Sequence, residues 1–340
     1  MKAKVTFGSG CAISDKMFYV PSFLDELEED LEHTRIFVLN TEVTPYWFYH
    51  DIYDSTIIAT CLRGKSDRSE RACYSLSSKG LVEIFNSNST ITEDIFHTVS
   101  RTSYPGELTG IKYIAGHAYV CGSGNQVYKS TEDGWVSISD DIQRLASQQI
   151  SEVITAINSI GPSPNAKNIG LNVATEKLRD YTMLHGIDGL AENSIYTCGS
   201  NGRIWHWDGA IWRIIKSGTV QHLHDIHCVS DELVFICGHN GTILKGNHKS
   251  GFSRLPTGRA GINFWSIRAC GEKIYIGSSV GLFEVASNKL APCVTAVAAP
   301  GSYSVQSIDV FNDTLWVAAD KFMLRLHNDQ WDFIEHPDNV

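Results

Sequence analysis

The sequence contains no apolar run that approaches the roughly 20 residues a membrane-spanning helix needs. Its first ten residues include Lys2 and Lys4 but no apolar core segment, so they do not resemble a secretory signal. The patterns G-x-S-x-G and H-E-x-x-H and the phosphate-binding loop are also absent. We therefore expect a cytoplasmic protein without membrane contact and without a catalytic motif.

Positive charge is scarce in this chain. The 340 residues include 28 Lys and Arg against 38 Asp and Glu, a formal net charge of −10. Nucleic-acid binding needs a basic face because phosphate contacts dominate affinity, so we expect no nucleic-acid ligand. The acidic residues concentrate between Asp25 and Glu32. This segment is either a solvated turn or a patch that attracts a basic partner.

An internal repeat with a period near 40 residues organises the chain. Segments 196–204, 235–243 and 275–283 share aromatic or β-branched residues followed by a glycine, and Gly199, Gly238 and Gly277 lie 39 residues apart. Asn-Gly pairs at 201–202 and 240–241 indicate tight turns that need positive φ. Four short antiparallel strands at this period are typical of a propeller blade.

The repeat predicts a single all-β propeller over residues 1–340, with seven blades and six as the alternative. Six blades are predicted at 47–98, 108–142, 184–217, 220–257, 262–295 and 303–336, and residues 1–46 would form a divergent seventh. The repeat is interrupted by an insertion at 143–181. Apolar residues at helical spacing predict a helix over 142–160, and residues 175–181 would form a second helical turn.

The repeats resemble the divergent bacterial propellers grouped with YVTN, WD40-like and BNR (Asp-box) repeat proteins. Residues 130–135, Ser-Thr-Glu-Asp-Gly-Trp, resemble a degraded Asp box. The resemblance covers most of residues 50–336 and implies a propeller fold. It does not specify a function, because propellers host enzymes, lectins and scaffolds.

A shared isoleucine in the first strand of each predicted blade sets the register of the repeat (Ile52, Ile111, Ile187, Ile226, Ile267 and Ile308). The residues two positions earlier should converge on one rim of the central channel. They include the five candidate partner-binding residues: His50, His185, His224, Trp265 and Gln306. The residues that follow the isoleucine should form a charged network that fills the channel: Tyr53, Lys112, Asp188, His227, Arg268 and Asp309.

Histidine and cysteine are the residue types that could hold a metal. His222 and His224 share one face of a strand and His227 points to the other, so a metal would need further ligands such as His185 or His50. The nine cysteines include no C-x-x-C pair, and no Cys/His spacing fits a zinc site. Cysteines at 121, 198 and 237 recur at one strand position, which is typical of buried core residues. We expect no metal and no cofactor.

The residues expected near the channel do not form a complete set of catalytic groups. Sialidase-type hydrolysis needs three arginines, a tyrosine nucleophile and an acid, and the channel end offers only Arg268. Asp188 and Asp309 could serve as a glycosidase pair, but the sequence does not specify their separation. A non-enzymatic binding function is therefore favoured.

The predicted function is binding of a protein partner by a monomeric propeller. Acidic propellers without a signal sequence look similar to proteins encoded beside bacterial polymorphic toxins, and this resemblance implies an immunity protein that neutralises a cognate, basic toxin domain. The alternatives are a glycan-binding or sialidase-like glycan-cleaving propeller and an assembly scaffold similar to photosystem-type assembly propellers.

Overall fold

In the computed structural model, the described residues are 4–27, 31–44, 46–66, 69–99, 106–159, 183–295 and 301–340. Their strands form seven antiparallel sheets, each built from consecutive strands of the chain. The first strands of neighbouring sheets contact one another around a closed ring. The predicted seven-bladed all-β propeller is confirmed.

We number the blades in chain order and their strands from the channel outwards. Blade 1 contains Val5–Phe7, Cys11–Ala12, Met17–Leu24, His33–Asn40 and Trp47–Tyr53. Blade 2 contains Ile57–Arg63, Ala72–Ser77, Leu81–Phe85 and Thr90–Asp94, and blade 3 contains Leu108–Ile114, His117–Gly122, Val127–Thr131 and Gly134–Ser137. Blade 4 contains Leu184–Ala191, Ser194–Gly199, Ile204–Trp207 and Trp212–Ile215. Blade 5 contains Leu223–Ser230, Leu233–Gly238, Thr242–Asn247 and Gly251–Arg254. Blade 6 contains Phe264–Cys270, Lys273–Ser278, Gly281–Ala286 and Lys289–Pro292, and blade 7 contains Val305–Phe311, Thr314–Ala319, Phe322–His327 and Gln330–Glu335.

The second strand of each blade carries the aromatic and β-branched residues of the repeat. Ala72–Ser77 and Thr314–Ala319 are buried along their whole length. Side chains on both faces of such a strand pack against the neighbouring blades, which explains the short continuous apolar runs. Burial of both faces therefore requires the ring, because one sheet alone would leave them in water.

The predicted boundaries of the first two blades are wrong. Trp47–Tyr53 is the outermost strand of blade 1, and blade 2 begins at Ile57. In blade 2 the position of the shared isoleucine is occupied by Thr60, which pairs with Ser75 as Ile111 pairs with Val120. Ile52, which the repeat pattern assigns to this position, lies one strand earlier, on the outermost strand of blade 1.

The ring closes between blades 1 and 7, and the described strands show no exchange between these two blades. Trp316 and Met323 of blade 7 pack with Phe18 and Phe37 of blade 1 in one buried cluster. Hydrogen bonds complete this seam, including Phe7 N to Asp320 O (2.9 Å), Val5 N to Asn339 Oδ1 (2.9 Å) and Ala12 N to Asp309 Oδ2 (2.9 Å).

The upper face of the propeller is the face on which the first strands begin. Because strands alternate in direction, the turns between second and third strands lie on the same face. The predicted tight turns are found there: Asn201 and Gly202 have φ of 57° and 71°, and Asn240 and Gly241 have φ of 56° and 67°. The two pairs lie at equivalent places in blades 4 and 5.

Replacement of Gly202 by alanine is expected to lower the free energy of unfolding by about 2–3 kcal/mol. A Cβ at Gly202 would lie 2.0 Å from the carbonyl oxygen of Thr219, in addition to the strain of a positive φ. Gly124 in the matching turn of blade 3 has φ of 67° but no atom within 4 Å of the added Cβ. Gly124→Ala is the matched control and should cost about 1 kcal/mol in a urea titration. Equal losses in the two variants would contradict the packing argument.

Within the ranges that the structure describes, two α-helices interrupt the strands, Ile95–Thr98 and Asp140–Ser159. The longer helix corresponds to the helix predicted over 142–160. It follows the outer strand of blade 3 and so begins on the upper face, where Asn125 Nδ2 donates to the carbonyl of Ile142 (3.1 Å) and Ile142 is buried. Residues 160–182, which include the predicted helical turn at 175–181, lie outside the described residues.

Candidate functional site: the upper mouth of the channel

Six side chains are directed into the channel by the same irregularity. The first strands of blades 2 to 7 each contain a β-bulge near their start, where one extra residue is unpaired. Bulges commonly redirect a side chain toward a functional site. The extra residues line a central cavity of about 460 Å³, and they are Ile58, Thr109, His185, His224, Trp265 and Gln306.

Four histidines and a tryptophan cluster at this end of the channel, and we call them the histidine mouth (His185, His222, His224, His239 and Trp265). The His224 ring lies 5.1 Å from the ring of His185 and 4.4 Å from that of His239. The Trp265 ring packs edge-on against His224 at 4.6 Å. His222 contacts His239 at 5.3 Å. The predicted residues His185, His224 and Trp265 are therefore in one contact cluster, and Gln306 lines the same cavity.

The hydroxyl of Ser200 joins two of these imidazoles. Its Oγ lies 3.3 Å from Nε2 of His185 and 3.2 Å from Nδ1 of His222. His224 Nε2 is buried and, within the described part of the chain, has no hydrogen-bond partner. Burial, followed by the neighbouring imidazoles of His185, His239 and His222, lowers the pKa of His224 to about 3. His224 is therefore neutral at physiological pH.

His50 lies outside the histidine mouth, and its predicted equivalence to His185 and His224 is wrong. It belongs to the outermost strand of blade 1, where its Nε2 lies 2.8 Å from Glu83 Oε1 of blade 2. Its ring stacks on Phe85 at 4.6 Å. The bulge position of blade 2 is held by Ile58, because the register of that blade starts at Ile57.

A layer of charged residues lies deeper in the channel. Arg268 Nη1 donates to Asp225 Oδ2 at 2.6 Å, and Arg268 Nε lies 3.6 Å from Asp309 Oδ1. Burial opposes the charge of Arg268, but Asp225 and Asp309 raise its pKa above the ordinary value. The predicted network is present, with one correction: Tyr53 is exposed on the outer strand, and Cys61 takes its place in blade 2.

Asp188 belongs to the same layer. Its Oδ2 accepts a hydrogen bond from the backbone N–H of Cys228 at 2.8 Å and lies 3.6 Å from His227 Nδ1. Burial alone would raise the pKa of Asp188, but Lys112 and His227 lower it well below its ordinary value. Since Arg268 and Asp188 are both engaged in this network, neither is available to bind a substrate carboxylate or to act as a proton donor near neutral pH.

We expect the purified protein to contain no stoichiometric zinc, iron or copper. The described residues include no group of three or more His, Cys, Asp or Glu arranged to hold a metal. The geometry agrees, because His185 and His222 each direct a ring nitrogen to Ser200. Elemental analysis is the measurement. About one metal per chain, lost in His224→Ala, would contradict this expectation.

The three recurrent cysteines occupy equivalent buried positions. Cys121, Cys198 and Cys237 pair with the residues that follow the bulges of blades 3, 4 and 5. All three are fully buried, and burial raises the pKa of the Cys121 thiol to about 12. All nine cysteines are free thiols.

The segment that resembles an Asp box forms the outer hairpin of blade 3, where the indole of Trp135 is buried and donates to Glu93 Oε2 at 2.7 Å.

Two histidine arrangements were missed by the sequence analysis. His239 immediately precedes the Asn240-Gly241 turn, and that turn places its ring at the mouth. A second histidine pair lies between blades 4 and 5, where the buried His206 stacks on His248 at 4.1 Å and the hydroxyl of Tyr196 lies 2.7 Å from His248 Nδ1. Burial, followed by the charge of His248, lowers the pKa of His206 to about 4.

Acidification from pH 7.5 to 4.5 is expected to lower the free energy of unfolding by about 3–5 kcal/mol. His206 and His224 are neutral in the fold but take up protons near pH 6.5 when unfolded, so protons bind the unfolded state first. Stability is therefore full above about pH 6.5 and is lost as the pH falls toward 4. Urea titrations at both pH values measure this loss. His206→Asn should show a smaller loss, and an equal loss in that variant would assign the effect to other groups.

No family model matches the chain. A curated relative, Immune protein Tsi7 of Pseudomonas aeruginosa, is 24% identical over 231 residues, which cover 68% of this chain and 65% of the relative. The match thus spans slightly less than two thirds of the relative's length.

Solved structures agree on the fold. YCF48 from Cyanidioschyzon merolae has a TM-score of 0.62 at 10% identity, and the match covers 100% of this chain and 98% of that one. A structure described as YCF48 bound to D1 peptide has the same score and identity, with 96% and 93% covered. The WD40 propeller domain of Doa1 has a TM-score of 0.58 at 11% identity, with 100% and 96% covered. At these identities the likeness shows a WD40-like propeller fold alone.

Among the described residues, no helix is long and apolar enough to cross a membrane.

Proposed function

We propose that the protein is an immunity protein that binds and neutralises a cognate bacterial toxin. The observation that carries this proposal is the similarity to Immune protein Tsi7, which extends over 231 residues. The protein acts without catalysis, as a stoichiometric inhibitor that covers or distorts the toxin's active surface. We also propose that the protein is monomeric, that it is located in the cytoplasm of a bacterium, and that it is related to the YVTN and BNR repeat propellers.

The contact surface in this proposal is the upper face around the histidine mouth. Trp265 combines a large ring area with a polar N–H, and tryptophan is among the residues that dominate interface hot spots. Gln306 extends the surface across the channel, and the helix Asp140–Ser159 begins on the same face. A rigid ring that carries a separate inserted segment suits recognition of one partner, because binding residues are commonly placed on loops held by a scaffold.

Charge complementarity supports a basic partner. The formal net charge of the chain is −10, and long-range attraction between an acidic and a basic protein accelerates their encounter. Acidic groups on the surface, such as Glu26, provide this attraction at a distance. The mouth then provides the close contacts, since its rings are half-buried and held by their neighbours.

The test is co-expression with the toxin that is encoded beside the gene for this chain. Bacteria that express the toxin alone should stop growing, and bacteria that also express this chain should grow and yield the two proteins as one complex. Glu272→Ala, on the face opposite the mouth, is the control and should protect fully. If the toxin still stops growth in cells that contain this chain as a soluble, folded protein, the proposal is overturned.

A further inference from the structure

A second cavity lies between blades 6 and 7 on the lower face, opposite the histidine mouth. The first and third strands of each blade end on this face, so the turns at 271–272 and 328–329 form part of the rim. The volume is about 730 Å³, a size common among sites for small ligands. We call this cavity the lower cleft, and its lining includes Tyr275, Glu284, Cys293, Asp313, Asp329 and Trp331.

The hydroxyl of Tyr275 is a polar group without a partner inside the lower cleft. Only 3% of the residue is exposed, and no group of the described chain hydrogen-bonds to the hydroxyl. Burial raises the pKa of Tyr275 above its ordinary value, and the remaining contributions come from Cys293, Glu284, Cys270 and Asp329, which all line the cleft. The hydroxyl is therefore directed into the cleft, where a ligand can supply the missing hydrogen bond.

Negative charge predominates around this hydroxyl. The lining of the cleft contains the carboxylates of Glu272, Glu284, Asp313 and Asp329 and a single cationic side chain, Lys273. Lys273 Nζ binds Glu284 Oε2 at 2.9 Å. The other three carboxylates form no ion pair within the described ranges. The cleft therefore attracts a cation and repels an anion.

The walls of the lower cleft are apolar and partly aromatic. Cys293, Leu326 and Trp331 are partly buried in the cluster of apolar side chains that joins blades 6 and 7. The rings of Tyr275 and Trp331 lie 6.4 Å apart with an angle of 76° between their planes. Such walls suit the methylene stem of a long cationic side chain, while its charged end stays among polar groups. Aromatic rings also attract a cation placed over their faces.

We propose that the lower cleft binds an alkylguanidinium group, which hydrogen-bonds to the Tyr275 hydroxyl and to a carboxylate of the rim while its stem packs against Trp331. An arginine side chain of a peptide and a small free guanidine share this chemistry. The inference stands apart from the proposed function, because the lower cleft is on the opposite face and stays open in a complex formed at the histidine mouth.

A guanidinium group fits the lower cleft better than an ammonium group does. It is planar, it has five N–H donors in a fixed arrangement, and it is less strongly hydrated than an ammonium. The acceptors of the cleft are spread over several groups, namely the oxygen of Tyr275 and the rim carboxylates of Asp313 and Asp329. One planar group can contact two of these acceptors and still stack on an indole, whereas an ammonium is a point charge.

The test uses blocked amino acids as probes and the ¹⁵N-labelled full chain. The indole N–H signal of Trp331, assigned by its loss in Trp331→Phe, is followed while N-acetyl-arginine amide is added. We expect a saturable shift with a dissociation constant of about 1 mM, as befits so small a ligand. N-acetyl-citrulline amide has the same shape without the charge and should bind at least tenfold more weakly. The indole signal of Trp265 at the histidine mouth should not move.

Three variants locate the contact. Tyr275→Phe keeps the ring and removes the hydroxyl, so it should weaken binding of the arginine probe about three- to tenfold. Asp329 has φ of 60°, which asparagine also adopts, and Asp329→Asn should weaken binding about two- to fivefold. Asp231→Asn is the matched control, because Asp231 lies in an exposed lower turn of blade 5 outside the cleft, and it should leave binding unchanged.

Each outcome decides the proposal. Absence of a saturable Trp331 shift, an equal shift with the citrulline probe, or equal shifts of Trp265 and Trp331 would overturn it. Tighter binding of N-acetyl-lysine amide would show that the cleft takes an ammonium group instead. Unchanged affinity in both Tyr275→Phe and Asp329→Asn would also contradict it. Under the proposal, 4-aminobutylguanidine distinguishes the sources: binding tighter than that of blocked arginine supports a small free guanidine, and weaker binding supports a peptide. Loss of toxin protection in co-expression concerns only the proposed function.

Discussion

Replacement of Arg268 by methionine is expected to lower the free energy of unfolding by about 3–5 kcal/mol. Arg268 lies deep in the channel and is shared by Asp225 and Asp309, which belong to blades 5 and 7. Its removal leaves two carboxylates in the channel without their cation, and an uncompensated charge costs more than the ion pair contributes. Urea titration at pH 7 is the measurement.

Two further variants isolate this cause. Asp225→Asn in the Arg268→Met background should recover part of the loss, because one of the stranded charges is then removed. Lys273→Met, at a solvent-exposed ion pair with Glu284, is the matched control and should change stability by less than about 1 kcal/mol. A loss in Arg268→Met that is unchanged by Asp225→Asn would mean that packing, and not charge, determines the effect.

Under the proposed function, replacement of Trp265 by alanine is expected to weaken binding of the proposed toxin partner by about 30-fold or more, equivalent to about 2 kcal/mol, with little change in Tm. The indole occupies the bulge position of blade 6 at the mouth, half-buried against His224 and His239. Blades 3 and 7 have Thr109 and Gln306 at the same position, so the fold does not need an aromatic side chain there. Calorimetric titration of the co-expressed toxin measures the affinity.

A tryptophan in a different cleft is the control. Trp331 lies on the outer strand of blade 7 and lines a cavity of about 730 Å³ between blades 6 and 7. Trp331→Ala should leave toxin affinity unchanged, even where it lowers stability. Unaltered affinity together with reduced Tm in Trp265→Ala would mean that the indole only plugs the channel, and the contact surface would then lie elsewhere.

The fold is predictable from the sequence where the repeat is regular. The equal spacing of Gly199, Gly238 and Gly277 was enough to predict the blades around them, and the Asn-Gly turns are at equivalent places. The same register brought His185, His224 and Trp265 to one channel end, because a β-bulge recurs at that position. Repetition thus converts a local pattern into a prediction about distant contacts.

The strand register is not predictable where one residue of the repeat is replaced. Thr60 fills the isoleucine position of blade 2 with a smaller, polar β-branched side chain, so the isoleucine pattern is absent there. His50 was consequently misplaced by one strand. His239 was missed for another reason: its ring reaches the mouth through a turn, and only the packing of blade 5 against blade 6 reveals that path.

The seam between blades 1 and 7 has a consequence for the evolution of the gene. Because no described strand crosses it, the junction has the same kind of packing as the junctions between consecutive blades, and Asn339 already reaches back to Val5. Circular permutation of the coding sequence would therefore change which blade the ribosome makes last without changing the finished ring. Such a fold can gain whole blades by duplication, and it can also lose or reorder them. Selection then acts on the few side chains that each blade directs into the channel.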